Sequence, residues 1–141
     1  MYFKGEKLSK KDRLKNFSLV MQDVNHQLFT DEVFSELSLG VKNFEEEKAK
    51  IILNDLCLGE LKERHPMSLS GGQKQRLAIA SIMCKDPTFV YYDEPTSGMD
   101  YTNMIKISEL IKKYRNKDKI IFIVFHDIEF LNKIADEIFE L

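Results

Sequence analysis

Apolar and polar positions alternate differently in the two halves of the chain. The first half carries one short apolar strand pattern, SLVMQ at 18–22, which ends on Gln22. Asp31 and Glu32 as an acidic first turn and Gly40 as a stop then predict a short helix over 31–39. Apolar residues at intervals of three and four predict an amphipathic helix over 44–57. Thr30 stands where a side chain would cap the first of these helices. This half is therefore predicted to be mixed at its start and helical afterwards.

The second half, from residue 67 onward, alternates helical patterns with apolar strands. The predicted helices cover 71–84, about 102–116 and about 128–136, and the predicted strands are TFVYY (88–92), KIIFIVF (119–125) and the terminal EIFEL. The continuous apolar run of KIIFIVF is typical of a strand that is buried on both faces. Strands that alternate with helices predict an α/β fold with a parallel sheet and right-handed crossovers.

Composition narrows the class of protein. The chain has 141 residues, is 43% hydrophobic, and carries a net charge of −2. These values fit a single globular domain and give no sign of a nucleic-acid-binding surface. The two cysteines, Cys57 and Cys84, lack metal-ligand spacing, and we expect both to be reduced and buried. The start of the chain lacks the apolar run of a signal peptide, and no run is long enough to span a bilayer.

The stretch MSLSGGQKQRLAIA, at 67–80, places two glycines where a helix begins. Ser70 is a good N-cap, and Gly71 and Gly72 leave the first backbone N–H groups accessible. A helix N-terminus of this kind binds phosphate, and Lys74 and Arg76 add positive charge. The alternative is a glycine-rich turn before a helix whose basic residues are simply solvated.

Carboxylates follow the strand FVYYDEP, at 89–95. Asp93 and Glu94 should emerge together at the carboxyl edge of the sheet, where ligands bind in open α/β folds. One carboxylate can hold Mg²⁺, and the other can orient or deprotonate a water. His126 ends the next strand and could bind a terminal phosphate or that water. A lone histidine at a strand exit is commonly just a polar residue, but the neighbouring carboxylates favour a site.

Several of these motifs together resemble the ATP-binding cassette ATPases, the nucleotide-binding domains of ABC transporters. LSGGQ (69–73) resembles the family signature, FVYYDE (89–94) the Walker B strand, and SGMD (97–100) the D-loop. Gln22 resembles the Q-loop glutamine and His126 the switch histidine. The stretch FSLVMQDVNHQLFTDEV looks most like the ATPases of energy-coupling-factor and cobalt-type importers.

The resemblance implies a role for each matched residue. Asp93, together with Gln22, would serve the Mg²⁺ site, and Glu94 would be the general base that polarises the hydrolytic water. His126 would contact the γ-phosphate of ATP. The signature residues would press against the γ-phosphate of a nucleotide bound to a partner subunit, and they are Ser70, Gly71, Gly72 and Gln73. Asp100 would help communication across that dimer interface.

The family also has a P-loop, G-x-x-x-x-G-K-[ST], that the 141 residues do not contain. The chain thus resembles the last two-thirds of such a domain, a partial P-loop NTPase (RecA-like) fold with an inserted α-helical subdomain. The Q-loop and helical subdomain would cover about 23–66, and the core with signature helix, Walker B, D-loop and switch histidine about 67–141. In the resembled fold the P-loop strand lies between the strand that leads to His126 and the final strand.

Three functions follow as expectations. The first is an ATP-hydrolysing subunit that powers an ABC transporter, an importer of the energy-coupling-factor type. The second is a non-transport ABC ATPase, although the long coiled-coil insertion or second cassette that would favour it is absent from these residues. The third is an inactive fragment or interaction module, because a chain without the P-loop should not hydrolyse ATP alone.

The resemblance also implies cofactors, partners and a location. The cofactors would be ATP and Mg²⁺. The partners would be a second ABC ATPase subunit, identical or different, and a transmembrane transporter subunit, without nucleic acid. The protein would be cytoplasmic and peripheral on the inner face of the cell membrane.

Overall fold

The computed structural model describes residues 2–3, 6–7, 9–96, 99–115, 118–125, 132 and 135–138. Its strands are β1 (Tyr2–Phe3), β2 (Glu6–Lys7), β3 (Phe17–Val20), β4 (Phe89–Asp93) and β5 (Ile120–Val124). Its α-helices are α1 (Lys10–Asn16), α2 (Val33–Ser38), α3 (Glu46–Asp55), α4 (Gly71–Lys85) and α5 (Tyr101–Tyr114). Three short 3₁₀ turns cover Val24–His26, Gly59–Leu61 and Pro66–Ser68.

The main sheet is parallel, with the strand order β3-β4-β5. Val20 of β3 lies beside Tyr92 of β4, and Tyr92 lies beside Ile123 of β5. Strands β1 and β2 form a separate antiparallel pair. The predicted α/β fold with a parallel sheet is therefore confirmed.

The core lies between the helices and one face of this sheet. Helices α2 and α3 pack against α4, which in turn packs against β3. Val20, Val90 and Tyr92 carry the sheet's share of this core and are at most 4% exposed. The helical side chains that are fully buried in it include Leu37, Ile52, Leu53, Leu77, Ile79 and Ile107. Burial of apolar side chains on this scale is the main stabilising force of the fold.

The opposite face of the sheet is exposed over the described residues. Phe122 is 58% exposed, and Ile120 and Val124 of the same strand are 43% and 37% exposed. The prediction that KIIFIVF is buried on both faces is therefore wrong for the described part of the chain. A continuous apolar run identifies a strand made for two covering layers, and the described residues supply only one of them.

The start of α2 differs from the prediction as well. Helix α2 begins at Val33, and its N-cap, Glu32, makes no capping bond with its side chain. Thr30 is not the cap, because its hydroxyl donates to the carboxylate of Glu36 at 2.9 Å. Gly40 has φ +76°, the left-handed conformation expected just past a helix end.

The two cysteines do not share one environment. Cys57 is exposed and has φ +56°, so the prediction that it is buried is wrong. It follows the end of α3, which stops at Asp55 rather than at residue 57. Cys84 is partly buried in α4, and burial raises the pKa of its thiol to about 11. Both are free thiols.

Some expectations fall outside the described residues. The switch histidine, His126, lies there, as do most of the predicted helix over 128–136 and residues 139–141 of the predicted last strand. Among the helices that are described, none combines the length and the apolar character needed to cross a membrane.

Candidate functional site

The N-terminus of α4 is built as the sequence predicts. Ser70 Oγ accepts a hydrogen bond from the Gln73 amide at 3.4 Å, and Gln73 Oε1 accepts one from the Ser70 amide at 2.9 Å. This reciprocal pair is a capping box. It leaves the amides of Gly71 and Gly72 outside both bonds, at the positive end of the helix dipole.

The two glycines of the signature are not required by packing. A Cβ atom at Gly71 would meet no other atom within 4 Å. A Cβ atom at Gly72 would lie 3.8 Å from Arg76 Nη1 and 4.0 Å from Met99 Cγ, which are ordinary contact distances. Since glycine in a helix costs roughly 1 kcal/mol relative to alanine, the fold alone gives no reason for two of them. Open space for a ligand beside the backbone is the physical reason that remains.

The predicted carboxylates meet at the edge of the sheet. Asp93 is the last residue of β4, and Glu94 follows it with φ +46°. This left-handed conformation turns the chain sharply, and the Glu94 amide donates to the carbonyl oxygen of Val124 at 3.1 Å. The strain of a non-glycine residue in this conformation is held by the sheet, as is common at functional sites.

Gln22 reaches this edge from the end of β3. Its Nε2 atom donates to Glu94 Oε2 at 3.0 Å, although the two residues lie 72 positions apart. Two of the predicted site residues, one from each half of the chain, are therefore in direct contact. Their positions follow from the sheet, because β3 and β4 are parallel neighbours whose carboxyl ends meet at the same edge.

The carboxylate of Asp93 is available to bind a cation within the described part of the chain. Its carboxylate is partly exposed and forms no ion pair with any described residue. No three metal-ligating side chains cluster among the same residues. Mg²⁺ commonly takes only one or two carboxylates and completes its shell with water and phosphate oxygens, so Asp93 fits that ion.

Gln27 fixes the segment that carries Gln22. Its Nε2 donates to the carbonyl oxygen of Leu19 at 2.8 Å, and its Oε1 accepts from the amide of Met21 at 2.8 Å. The side-chain amide of Gln27 thus pairs with one backbone donor and one backbone acceptor, as the backbone of a neighbouring strand would. No pattern in the sequence marks Gln27, so sequence reasoning missed it.

The Q-loop segment is also tied to the signature helix. Lys74 Nζ donates to Asn25 Oδ1 at 2.9 Å, and Gln75, which is 4% exposed, donates to the carbonyl oxygen of Met21 at 3.5 Å. Lys74 was expected to contribute charge near a phosphate, and here it bonds the Q-loop instead. A shift of α4 would therefore be felt directly at the segment that holds Gln22.

Glu36 is a second residue that sequence reasoning missed. It is 1% exposed, and its Oε2 atom accepts from the amides of Phe29 and Thr30 at 2.9 and 3.0 Å. Its own carbonyl oxygen accepts from Ser81 Oγ of α4 at 3.3 Å. A buried carboxylate needs such donors, and this one joins the loop after the Q-loop to α4.

Asp100 has a structural role in this chain. It is the N-cap of α5 and accepts from the Asn103 amide at 3.0 Å and from Asn103 Nδ2 at 2.6 Å. These hydrogen bonds lower the pKa of its carboxyl group. Its expected part in a dimer interface stays a prediction, and Ser97 and Gly98 of the D-loop lie outside the described residues.

The parallel sheet, its carboxylate edge and the glycine-led helix define the core of an ABC ATPase. The sequence model of the ABC transporter family matches residues 1–97, and the chain belongs to this family. An ABC transporter ATP-binding protein of Treponema denticola is 45% identical over 96% of this chain. The energy-coupling factor transporter ATP-binding protein EcfA2 of Caldanaerobacter subterraneus is 38% identical over 94% of it.

A solved structure agrees with these relatives. CbiO1 of Clostridium perfringens, described as part of the ABC transporter complex cbiONQ, matches with a TM-score of 0.73 and 28% identity. The match covers 91% of this chain and 55% of CbiO1. The chain spans 28% of the Treponema relative and 49% of the EcfA2 relative, so it corresponds to part of each.

Proposed function

We propose that this chain carries the hydrolytic and signature regions of an ATP-hydrolysing subunit of an ABC transporter. The observation that supports the proposal most is the contact between Gln22 and Glu94, 3.0 Å at the carboxyl edge of the parallel sheet. It joins a strand-end glutamine to a strand-end carboxylate in the arrangement that the family resemblance implies. No structural role of the pair in the core explains it, since neither residue is buried.

The proposed chemistry is hydrolysis of the γ-phosphoryl bond of ATP. Glu94 accepts the proton of the attacking water, and Gln22 holds the Glu94 carboxylate through its Nε2 atom while its amide oxygen remains available to the metal site. Asp93 and Gln22 would hold Mg²⁺, which would neutralise charge on the phosphate oxygens. His126 is proposed to contact the γ-phosphate.

The signature residues act on the nucleotide of a second subunit in this proposal. Ser70, Gly71, Gly72 and Gln73 present a helix N-terminus to its γ-phosphate, and the open space at Gly71 supports this role. Asp100 lies in the same subunit interface. The second subunit can be identical or different.

The α- and β-phosphates need a cradle that the printed residues do not include, since they lack G-x-x-x-x-G-K-[ST]. We propose that residues 23–66 form the Q-loop and helical subdomain and residues 67–141 the core that such a cradle completes. The same absence supports a second candidate, in which these 141 residues alone bind a partner and do not turn over ATP.

We propose import as the transport direction, as the resemblance of residues 17–33 to importer ATPases implies. EcfA2 is named for an energy-coupling factor transporter and CbiO1 for the cbiONQ complex, and we propose an importer of that type here.

An open groove of about 600 Å³ lies between α3 and the segment 59–64 of the helical region. We propose that this groove receives the transmembrane subunit and that the protein lies on the cytoplasmic face of the membrane.

Paramagnetic relaxation tests the metal and nucleotide part of this proposal. Mn²⁺ with ATP would be titrated into the isotope-labelled chain, because Mn²⁺ takes the same oxygen ligands as Mg²⁺ and broadens nearby signals. We expect broadening centred on Asp93, Glu94 and Gln22, and its loss in Asp93→Asn. Glu109→Gln, an exposed carboxylate on α5, is the matched control and should leave the pattern unchanged. Broadening centred on another part of the chain would contradict the proposed site.

A further inference from the structure

Met21 lies between the end of a strand and Gln22, where strand pairing no longer holds the chain. Strand β3 ends at Val20, and its pairing with β4 ends there as well, with Val20 beside Tyr92. A residue beyond the end of a strand needs other partners for its backbone N–H and C=O groups. The position of Gln22 therefore depends on what bonds to Met21.

Two side-chain amides bond to both polar groups of the Met21 backbone. Gln27 Oε1 accepts from the Met21 amide at 2.8 Å, and Gln75 Nε2 donates to the Met21 carbonyl oxygen at 3.5 Å. The first distance is that of a good hydrogen bond and the second is at the long limit of one. Of the two side chains, Gln27 is therefore the one that holds Met21 more firmly.

Gln27 is itself held in place by the turn that it closes. Its backbone amide donates to the carbonyl oxygen of Val24 at 3.0 Å, which ends the short 3₁₀ turn. Its Nε2 atom donates to the carbonyl oxygen of Leu19 at 2.8 Å. The loop 22–26 is thus closed back onto β3, and Gln22 is its first residue.

We propose that Gln27 is a positioning residue that holds Gln22 against Glu94. This inference rests on the proposed function, in which Gln22 and Glu94 act at one site, and it adds a residue for which the family resemblance gave no role. Gln27 acts through Met21, the residue directly before Gln22, and so keeps Gln22 Nε2 at 3.0 Å from Glu94 Oε2. Neither Gln22 nor Glu94 is buried, so packing alone does not fix their contact.

NMR of the isotope-labelled full chain tests this role without any ligand. In the wild type we expect a nuclear Overhauser effect between the side-chain amide protons of Gln22 and the methylene protons of Glu94. Gln27→Met keeps the approximate volume of the side chain but loses its donor and its acceptor. The ratio of chains with Gln22 at Glu94 to chains with Gln22 away from it should fall about fivefold or more, as expected for the loss of one or two neutral hydrogen bonds.

Two further variants separate positioning from a general effect on the fold. Gln75→Met removes only the longer bond to Met21 and should weaken the same signal less than Gln27→Met does. Asn43→Ala removes an exposed side-chain amide elsewhere in the helical region and should leave the signal unchanged. Hydrogen exchange at the amide of Val20, which is fully buried, checks that the sheet stays folded. Loss of the sheet in Gln27→Met, or a larger effect of Gln75→Met, would overturn the inference.

Mn²⁺ with ATP distinguishes this inference from the proposed function. In Gln27→Met the broadening should persist at Asp93 and weaken at Gln22, because only Gln22 has moved away from the site. Equal broadening of Gln22 in the wild type and in Gln27→Met would overturn the role of Gln27 and leave the site in place. A wild-type chain without broadening at Asp93 and Glu94 would contradict the proposed function, and the signal between Gln22 and Glu94 without ligand would still decide whether Gln27 holds Gln22.

Discussion

The two faces of the three-stranded sheet carry similar side chains but stand in opposite environments. Tyr91 and Tyr92 are neighbours on β4, yet Tyr92 is 3% exposed beneath the helices and Tyr91 is 41% exposed on the other face. Leu19, Tyr91 and Phe122 lie side by side across the three strands on that uncovered face. Phe17 and Phe89 also stack in register, with ring centroids 4.4 Å apart.

The difference between the two faces shows what an apolar strand pattern does and does not predict about burial. Apolar residues on both sides of β4 and β5 indicate strands built for a sheet with two covering layers. The described helices form one of those layers. A P-loop strand beside β5, which the resemblance implies, would cover the edge of the sheet rather than this face, and it stays a prediction.

The largest expected effect separates the two tyrosines of β4. Tyr92→Ala should lower the free energy of unfolding by about 3–5 kcal/mol, because it leaves a cavity in the core. Tyr91→Ala should cost less than about 1 kcal/mol, since the lost side chain is partly in water already. Chemical denaturation of both variants measures the contrast, and equal losses would mean that the two faces are equally buried.

Glu36 tests how the helical layer is held in place. Glu36→Ala leaves the amides of Phe29 and Thr30 without their buried acceptor. We expect a loss of about 2–3 kcal/mol in the free energy of unfolding, together with faster hydrogen exchange at both amides. Glu32→Ala, whose side chain is exposed and makes no capping bond, is the control. An unchanged exchange rate at Thr30 would rule out the anchoring role.

The dependence of stability on alkaline pH tests the burial of Tyr92 on the covered face. Burial raises the pKa of Tyr92 above its ordinary value of 10.0. The unfolded chain therefore ionises first, so this contribution is present below pH 10 and is lost as the pH rises through the folded-state value. Wild type should lose about 1.4 kcal/mol per pH unit above pH 10 relative to Tyr92→Phe. Parallel curves for the two proteins would exclude this linkage.

The smallest expected effect concerns the uncovered face. Phe122→Ser removes a side chain that is 58% exposed. The free energy of unfolding should therefore stay within about 0.5 kcal/mol of the wild-type value. Self-association measured by sedimentation should decrease, because an exposed apolar sheet face promotes it. A large destabilisation would show that this face is covered in solution.

Local signals in the sequence predicted much of the structure. Ser70, two glycines and the apolar spacing after them fixed the start of α4, since capping and periodicity are local properties. The positions of Asp93 and Glu94 at the end of β4 could be predicted, because a strand that ends in carboxylates needs no long-range information. The burial of β5 was predicted wrongly, because what covers a strand depends on elements distant in sequence. Gln27 and Glu36 were missed for the same reason.

In the predicted site, too, local features could be predicted and long-range contacts could not. Its residue types could be assigned from motifs, but the contact between Gln22 and Glu94 spans 72 positions and needs the sheet. Glu36 accepts hydrogen bonds from the loop amides only if α2 packs tightly against α4. Such side-chain contacts follow from tertiary packing, and a single sequence contains no direct record of them.

ATP turnover by Glu94→Gln is the decisive measurement for the proposed general base. In a complete cassette that carries this sequence, the substitution keeps the shape of the side chain and its bond to Gln22 within reach, but it removes the proton acceptor. We expect ATP hydrolysis to be abolished while ATP still binds and the ATP-bound dimer becomes more stable. Glu109→Gln should hydrolyse ATP as wild type does. Normal turnover by Glu94→Gln would contradict the assignment of the catalytic edge.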